Sequence, residues 1–231
     1  MTHREIVLDT ETTGLDPKEG HRIVEVGAVE LIGRVPTGRS FHHFINPERD
    51  IDAESTRIHG ITNEKVRGMP TFGQIADDFM AFVDGAALVI HNAAFDMGFL
   101  NHELGLLGRE PLTNEVVDTI PLARGRFPGA QVNLDALCRR FDIDRSARVF
   151  HGALLDAQLL AEVYLELTGG RQPGLSFESP TAGQQDQEPL HVRQTQARPP
   201  RPFAPSAEEL AAHAAFVAKL PNSLWLKPQS D

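Results

Sequence analysis

The sequence has a single cysteine, Cys138, which excludes an internal disulfide. That usage fits a reducing cytoplasm. No apolar run is long enough to cross a membrane. Met1-Thr2-His3-Arg4-Glu5 leads directly into a strand-like run, with no signal peptide. A cytoplasmic protein without a membrane partner is expected. Positive charge is also scarce: 22 Lys and Arg stand against 32 Asp and Glu, a net charge of −10. That balance argues against non-specific adhesion to nucleic acid. It still allows a nucleic-acid enzyme that carries metal ions at its site and is held to its substrate by partners.

What is present supports one good-sized domain with appendages. Of 231 residues, 41% are hydrophobic, enough for a core. Residues 1–168 carry 16 Lys and Arg and 26 Asp and Glu, hence the whole net charge. Residues 169–231 hold six of each sign and nine of the 16 prolines. The shift falls near Thr168-Gly169-Gly170 and marks a boundary. A folded domain is expected over 1–168, a flexible linker over 169–205 and a C-terminal segment over 206–231.

Within the domain, Ile6-Val7-Leu8 is apolar without alternation, as in a strand buried on both faces. It stops at Asp9-Thr10-Glu11. Residues i and i+2 of a strand share a face, so Asp9 and Glu11 project together. Two adjacent carboxylates repel, and burial makes each harder to ionise. A divalent cation would offset both effects. The alternative is a strand end with solvated acids before the turn at Gly14.

Ile23 to Leu31 reads as a second strand, Val35-Pro36-Thr37-Gly38 as a turn and Ser40 to Ile45 as a third strand. Short connections imply an antiparallel meander. His42 and His43 are adjacent, face opposite sides and read as strand-surface residues. Asp52 to Gly60 reads as a short helix. Thr71 to Val83 is amphipathic, with Phe72, Ile75, Phe79 and Phe82 on one face. Ala87 to Ile90 and Val116 to Asp118 are short strands. Thr119 to Arg126, Leu134 to Phe141 and Ala153 to Thr168 are helical, with Cys138 on a core stripe. The order predicts an α/β fold: a mixed five-stranded sheet flanked by helices, with an extended C-terminal tail.

Three further residues carry weight only together. Asp96 lies in the first turn of the helix after His91-Asn92-Ala93-Ala94-Phe95, where an acid suits the helix dipole. It also lies beyond a strand end, where open α/β sheets place their sites. Asp156 lies inside the last helix of the domain, where an Asp is a poor helix former. His151, five residues earlier, is off the stripe of a continuous helix. The His151-Gly152 junction lets it reach back over Asp156.

Asp9-Thr10-Glu11-Thr12-Thr13-Gly14, His91 to Asp96 and His151-Gly152-Ala153-Leu154-Leu155-Asp156-Ala157 resemble the three motifs of the DEDD exonuclease superfamily, histidine branch. The order and spread of the blocks agree, and the resemblance covers residues 4–168. Within that superfamily the sequence is most similar to the proofreading 3′→5′ exonucleases of bacterial replicases. The resemblance implies an RNase H-like fold and two ions, Mg²⁺ or Mn²⁺, held by oxygen ligands. Asp9 would bridge them. Glu11 and Asp156 would complete the site for the ion that binds the attacking water, and Asp96 would support the second ion, mainly through water. His151 would be the general base. Thr12, Thr13 and Asn92 would bond the terminal sugar or phosphate. Leu15, Ile58, His59 and Phe95 would form a sequence-tolerant pocket for the terminal base. His59 reads as a solvent-side histidine with little packing reason to be there. The substrate would be a single-stranded or frayed 3′ end of DNA.

Gln172-Pro173-Gly174-Leu175-Ser176-Phe177 resembles a sliding-clamp-binding motif, with Gln172 bonding and Leu175 and Phe177 filling a pocket. Ser206-Ala207-Glu208-Glu209 opens a helix with a capping box. Leu210, Val217 and Leu220 line its apolar face, and Trp225 follows. The resemblance makes these four the contact to a polymerase catalytic subunit and leaves room for a small stabilising subunit. Two other functions compete: an RNA-trimming exonuclease of the same superfamily, and a non-catalytic tether between polymerase and clamp. The tail argues against the first, and the complete set of acids with His151 against the second.

Overall fold

A computed structural model describes residues 3–146, 150–170 and 204–219. The candidate clamp-binding residues Gln172, Leu175 and Phe177 lie outside the described residues, as do Leu220, Trp225 and most of the linker.

Strands β1 (Arg4–Thr12), β2 (Ile23–Ile32) and β3 (Val35–Phe44) form the expected meander. Helices α1 (Ala53–His59), α2 (Asn63–Val66) and α3 (Phe72–Val83) lead to β4 (Ala87–Ile90). Then come α4 (Ala93–Leu106), β5 (Val116–Asp118), α5 (Thr119–Arg126), α6 (Leu134–Arg140) and α7 (Ala153–Leu167). The sheet order is β3-β2-β1-β4-β5, with β4 parallel to both β1 and β5. The mixed five-stranded α/β sheet is as expected, and β1 is its central strand.

One turn is elsewhere. The β2–β3 connection is Gly33-Arg34, with Ile32 paired to Val35. Both turn residues have positive φ, 57° and 69°. A two-residue hairpin needs that conformation to match the strand twist. Val35-Pro36-Thr37-Gly38 therefore lies in β3 rather than in a turn. Pro36 is tolerated because β3 is an edge strand. The short helix α2, capped by Thr62, is an element that the periodicity did not reveal.

The absence of alternation in β1 has a direct cause. Ile6 and Leu8 pack with Phe72, Phe79, Phe99 and Leu100 on the α3–α4 side. Val7 packs with Leu160 and Tyr164 of α7 on the other. A further cluster joins Cys138, Leu137 and Ala123 to Leu159 and Val163, so the cysteine is core. β1 is thus covered on both faces, and the residues at its end inherit those two sides.

The described residues before and after the linker belong to two separate units. In the second, α8 (Ala207–Val217) opens with the capping box of Ser206 and Glu209. Leu210 is exposed and Val217 buried. Among the described residues no helix is long and apolar enough to cross a membrane.

Candidate active site

Asp9 and Glu11 lie on the α7 side of β1, in step with Val7. Their partners on β2 are Gly27 and Glu25. Gly27 has no room for a side chain: a Cβ would sit 2.1 Å from the Leu154 backbone nitrogen. The start of α7 thus rests on the backbone of β2, beside the two acids of β1.

That approach brings Asp156, in the first turn of α7, into the site with only 3% exposure. The helix starts after Gly152, whose backbone is extended at φ −145°. The break lets His151 turn back, so that its Nδ1 is 3.4 Å from Asp156 Oδ2. The His151 amide donates to the Ile58 carbonyl at 3.2 Å, which fixes the loop. Glu11, His151 and Asp156 each offer a ligand atom, and these atoms lie within 4.8 Å of one another. Two buried carboxylates and an imidazole suit a divalent cation, since they supply hard oxygen donors and charge that an ion would neutralise.

Asp96 approaches from the opposite side. It sits in the first turn of α4, buried, and its Oδ1 accepts from the Thr10 amide at 3.0 Å and the Thr10 hydroxyl at 2.7 Å. Burial pushes its carboxyl up to about 7, against the lowering effect of the Thr10 bonds. Asp118 anchors the start of α4, accepting from the amides of Asn92 and Ala93 at 3.2 Å each. Asn92 itself is left-handed, with φ 70°. Nothing in the local sequence marked Asp118, because its role depends on β5 lying beside β4.

His59 corrects an expectation. It is buried, at 6% exposure, rather than on the solvent side. Its Nδ1 accepts from the Ile61 amide at 3.0 Å, so Nε2 carries the proton and donates to the Thr12 carbonyl at 3.2 Å. Burial holds its pKa below the usual histidine range. His59 therefore shapes the turn after β1. The Thr12 hydroxyl donates to the Gly14 carbonyl at 2.6 Å. The Thr13 hydroxyl accepts from the Arg22 amide and meets His21 Nδ1 at 3.1 Å. Arg22 is in turn clamped by buried Glu103 of α4 through two bonds of 2.7 Å. Leu15 is 82% exposed and Ile58 half-exposed. The Phe95 ring packs 5.0 Å from Phe99. Phe150, exposed and lying over Gly60, is an aromatic beside the site that sequence reasoning passed over.

Buried acids and an imidazole at the end of the central strand of a mixed sheet make a candidate divalent-cation site of the kind hydrolases use. The comparisons agree. The exonuclease family matches residues 6–164. Exonuclease X in complex with 5′ overhanging duplex DNA is 26% identical, with a TM-score of 0.57 over 71% of this chain and 90% of that one. The nuclease domain of 3′hExo, a DEDDh family member bound to rAMP, shares the fold at 19% identity and a TM-score of 0.63, over 72% of this chain and 92% of that one. The DNA polymerase III subunit epsilon of Rickettsia felis is 49% identical over 94% of this chain and 96% of its own. That of Escherichia coli K12 is 49% identical over 92% and 91%. The chain belongs to the exonuclease family and, within it, to the epsilon subunits of DNA polymerase III. Its activity is that of a 3′→5′ exonuclease with an RNase H-like fold, and the family implies dependence on a divalent metal.

Proposed function

We propose that the chain removes mispaired nucleotides from the 3′ end of DNA during replication, in the company of a polymerase catalytic subunit. The observation that carries the reading is the convergence of Glu11, His151 and Asp156 at the end of β1. Asp9, Glu11, Asp96 and Asp156 would hold two Mg²⁺ or Mn²⁺ ions, with Asp9 shared between them. Such ions make water a better nucleophile and offset the charge on the departing 3′ oxygen.

The chain's own groups do the rest. The His151 ring takes the proton of the attacking water, and Asp156, 3.4 Å away, orients the ring. Leu15, Ile58 and Phe95 offer apolar surface to the terminal base, and Asn92 a polar contact to the sugar or phosphate. Thr12 and Thr13 act through the turn that their hydroxyls and His59 hold in shape. A mispaired end frays more cheaply and reaches the site as a single strand. Gln172, Leu175 and Phe177 would engage a sliding clamp. Leu210, Val217, Leu220 and Trp225 would engage the polymerase, and a small subunit would stabilise the assembly.

A 5′-labelled single strand incubated with Mg²⁺ should give a ladder of shortening labelled products. His151→Ala should slow release on the order of 10²–10⁴-fold. Asp9→Ala should abolish release and leave binding to the polymerase subunit intact. Unchanged release in Asp9→Ala would sink the catalytic assignment and favour a tethering role.

A further inference from the structure

We propose that Glu25 is a positioning residue for the reaction, seating the start of α7 and with it His151 and Asp156. This inference rests on the site assignment above. Glu25 is 3% exposed and faces Glu11 directly across the β1–β2 pair. A third buried carboxylate beside Glu11 and Asp156 adds repulsion unless its oxygens are engaged. Both are. Oε1 lies 2.7 Å from His42 Nε2, and Oε2 accepts from the Ala153 backbone amide at 3.2 Å.

Ala153 is the first residue of α7, and the Gly152 cap has no side chain to satisfy the amides of that turn. Glu25 supplies an acceptor from a different strand, where the helix dipole also favours a negative charge. Gly27, two residues along β2, lets the backbone of Ala153 and Leu154 come down onto the sheet. Glu25 thus fixes the first amide of α7 while Gly27 sets its height. His151 lies two residues before that amide and Asp156 three after it. His42, which reads from sequence as a surface strand histidine, holds the far side of the same carboxylate. Glu25 acts through the helix start.

The test uses the full chain with Glu25→Ala, Glu25→Gln and His42→Ala. Three quantities are read: steady-state release from a single strand, Mn²⁺ binding by calorimetry, and amide hydrogen exchange over residues 153–156. Glu25→Ala should lower kcat by about 10- to 100-fold with KM within about twofold, weaken Mn²⁺ binding and speed exchange at Ala153. Glu25→Gln keeps an acceptor for the amide and should restore all three to within about threefold of wild type. A carboxylate ligating the ion itself would not be rescued by glutamine, so that rescue marks positioning. Glu25→Ala within about twofold of wild type in kcat, with exchange unchanged, overturns the proposal. So does a Glu25→Gln variant as impaired as Glu25→Ala while melting like wild type. Where Glu25→Ala does not fold, His42→Ala decides: lower kcat with faster exchange at 153–156 supports the proposal, and unchanged kcat overturns it. Failure of the wild-type chain to release nucleotides would instead sink the catalytic assignment, so the two failures are distinct.

Discussion

His59 and His91 are two imidazoles whose pKa the fold lowers. Burial is the largest cause of the lowered pKa in each, against raising contributions from the Thr12 carbonyl for His59 and from Asp118 for His91. A base with a depressed folded pKa binds fewer protons folded than unfolded. Its contribution to stability is therefore complete above the unfolded pKa of 6.5 and is lost as pH falls from there toward the folded value. The two histidines should lower the thermal midpoint below about pH 6.5, offset in part by Asp96, whose carboxyl, raised to about 7, gives up stability as pH climbs toward that value. His91→Gln should flatten that fall, and a slope unaffected by the change would remove His91 from the account. The same residues show what a sequence discloses. Glu11, His151 and Asp156, which the structure brings together, were legible because local motifs carry them, and the same motifs hold Asp9 and Asp96. His59 was legible as a site residue, but not its burial, because its partners Thr12 and Ile61 meet it only across a turn and a helix end. Glu25, Asp118 and Glu103 were silent because each acts on backbone or side chains far along the chain.

At the scale of elements, the strands and long helices were legible from periodicity, and the departures have local causes. Gly33-Arg34 outcompeted Val35 to Gly38 as the turn because two positive φ values fit the hairpin twist. Helix α2 is a single turn, too short for periodicity to register. The contact between β2 and α7 gives a sharper prediction. In Gly27→Ala the new methyl meets the Ala153–Leu154 backbone, which has no flexible end to move aside. The helix must lift from the sheet, at a cost of about 1–3 kcal/mol or more. Denaturant unfolding should show that loss, and nucleotide release should fall with it because Asp156 rides on that helix and His151 on the loop that leads into it. A variant of native stability and activity would mean that α7 does not rest on Gly27.

At the scale of the whole molecule, the charge of −10 sets how this exonuclease meets DNA. A strongly acidic chain has few cations to exchange for counterions along a phosphate backbone. The His151→Ala chain should bind a short single strand weakly without divalent ions and more tightly once Mn²⁺ is added, as read by fluorescence anisotropy. Tight binding in a chelator at physiological salt would contradict this. The two-sided burial of β1 has a further consequence, in the order of synthesis. The proposed site takes two acids from the first strand, one from α4, His151 from the loop before α7 and the last acid from α7, on opposite faces of one sheet. A ribosome releases the chain from its amino terminus, and domains fold as units. Every nascent chain or proteolytic fragment that stops before α7 therefore lacks Asp156 and has one face of β1 uncovered. With the proposed site, hydrolytic power arrives only with the final layer of the domain, so a copy cut short before α7 should not degrade a DNA end.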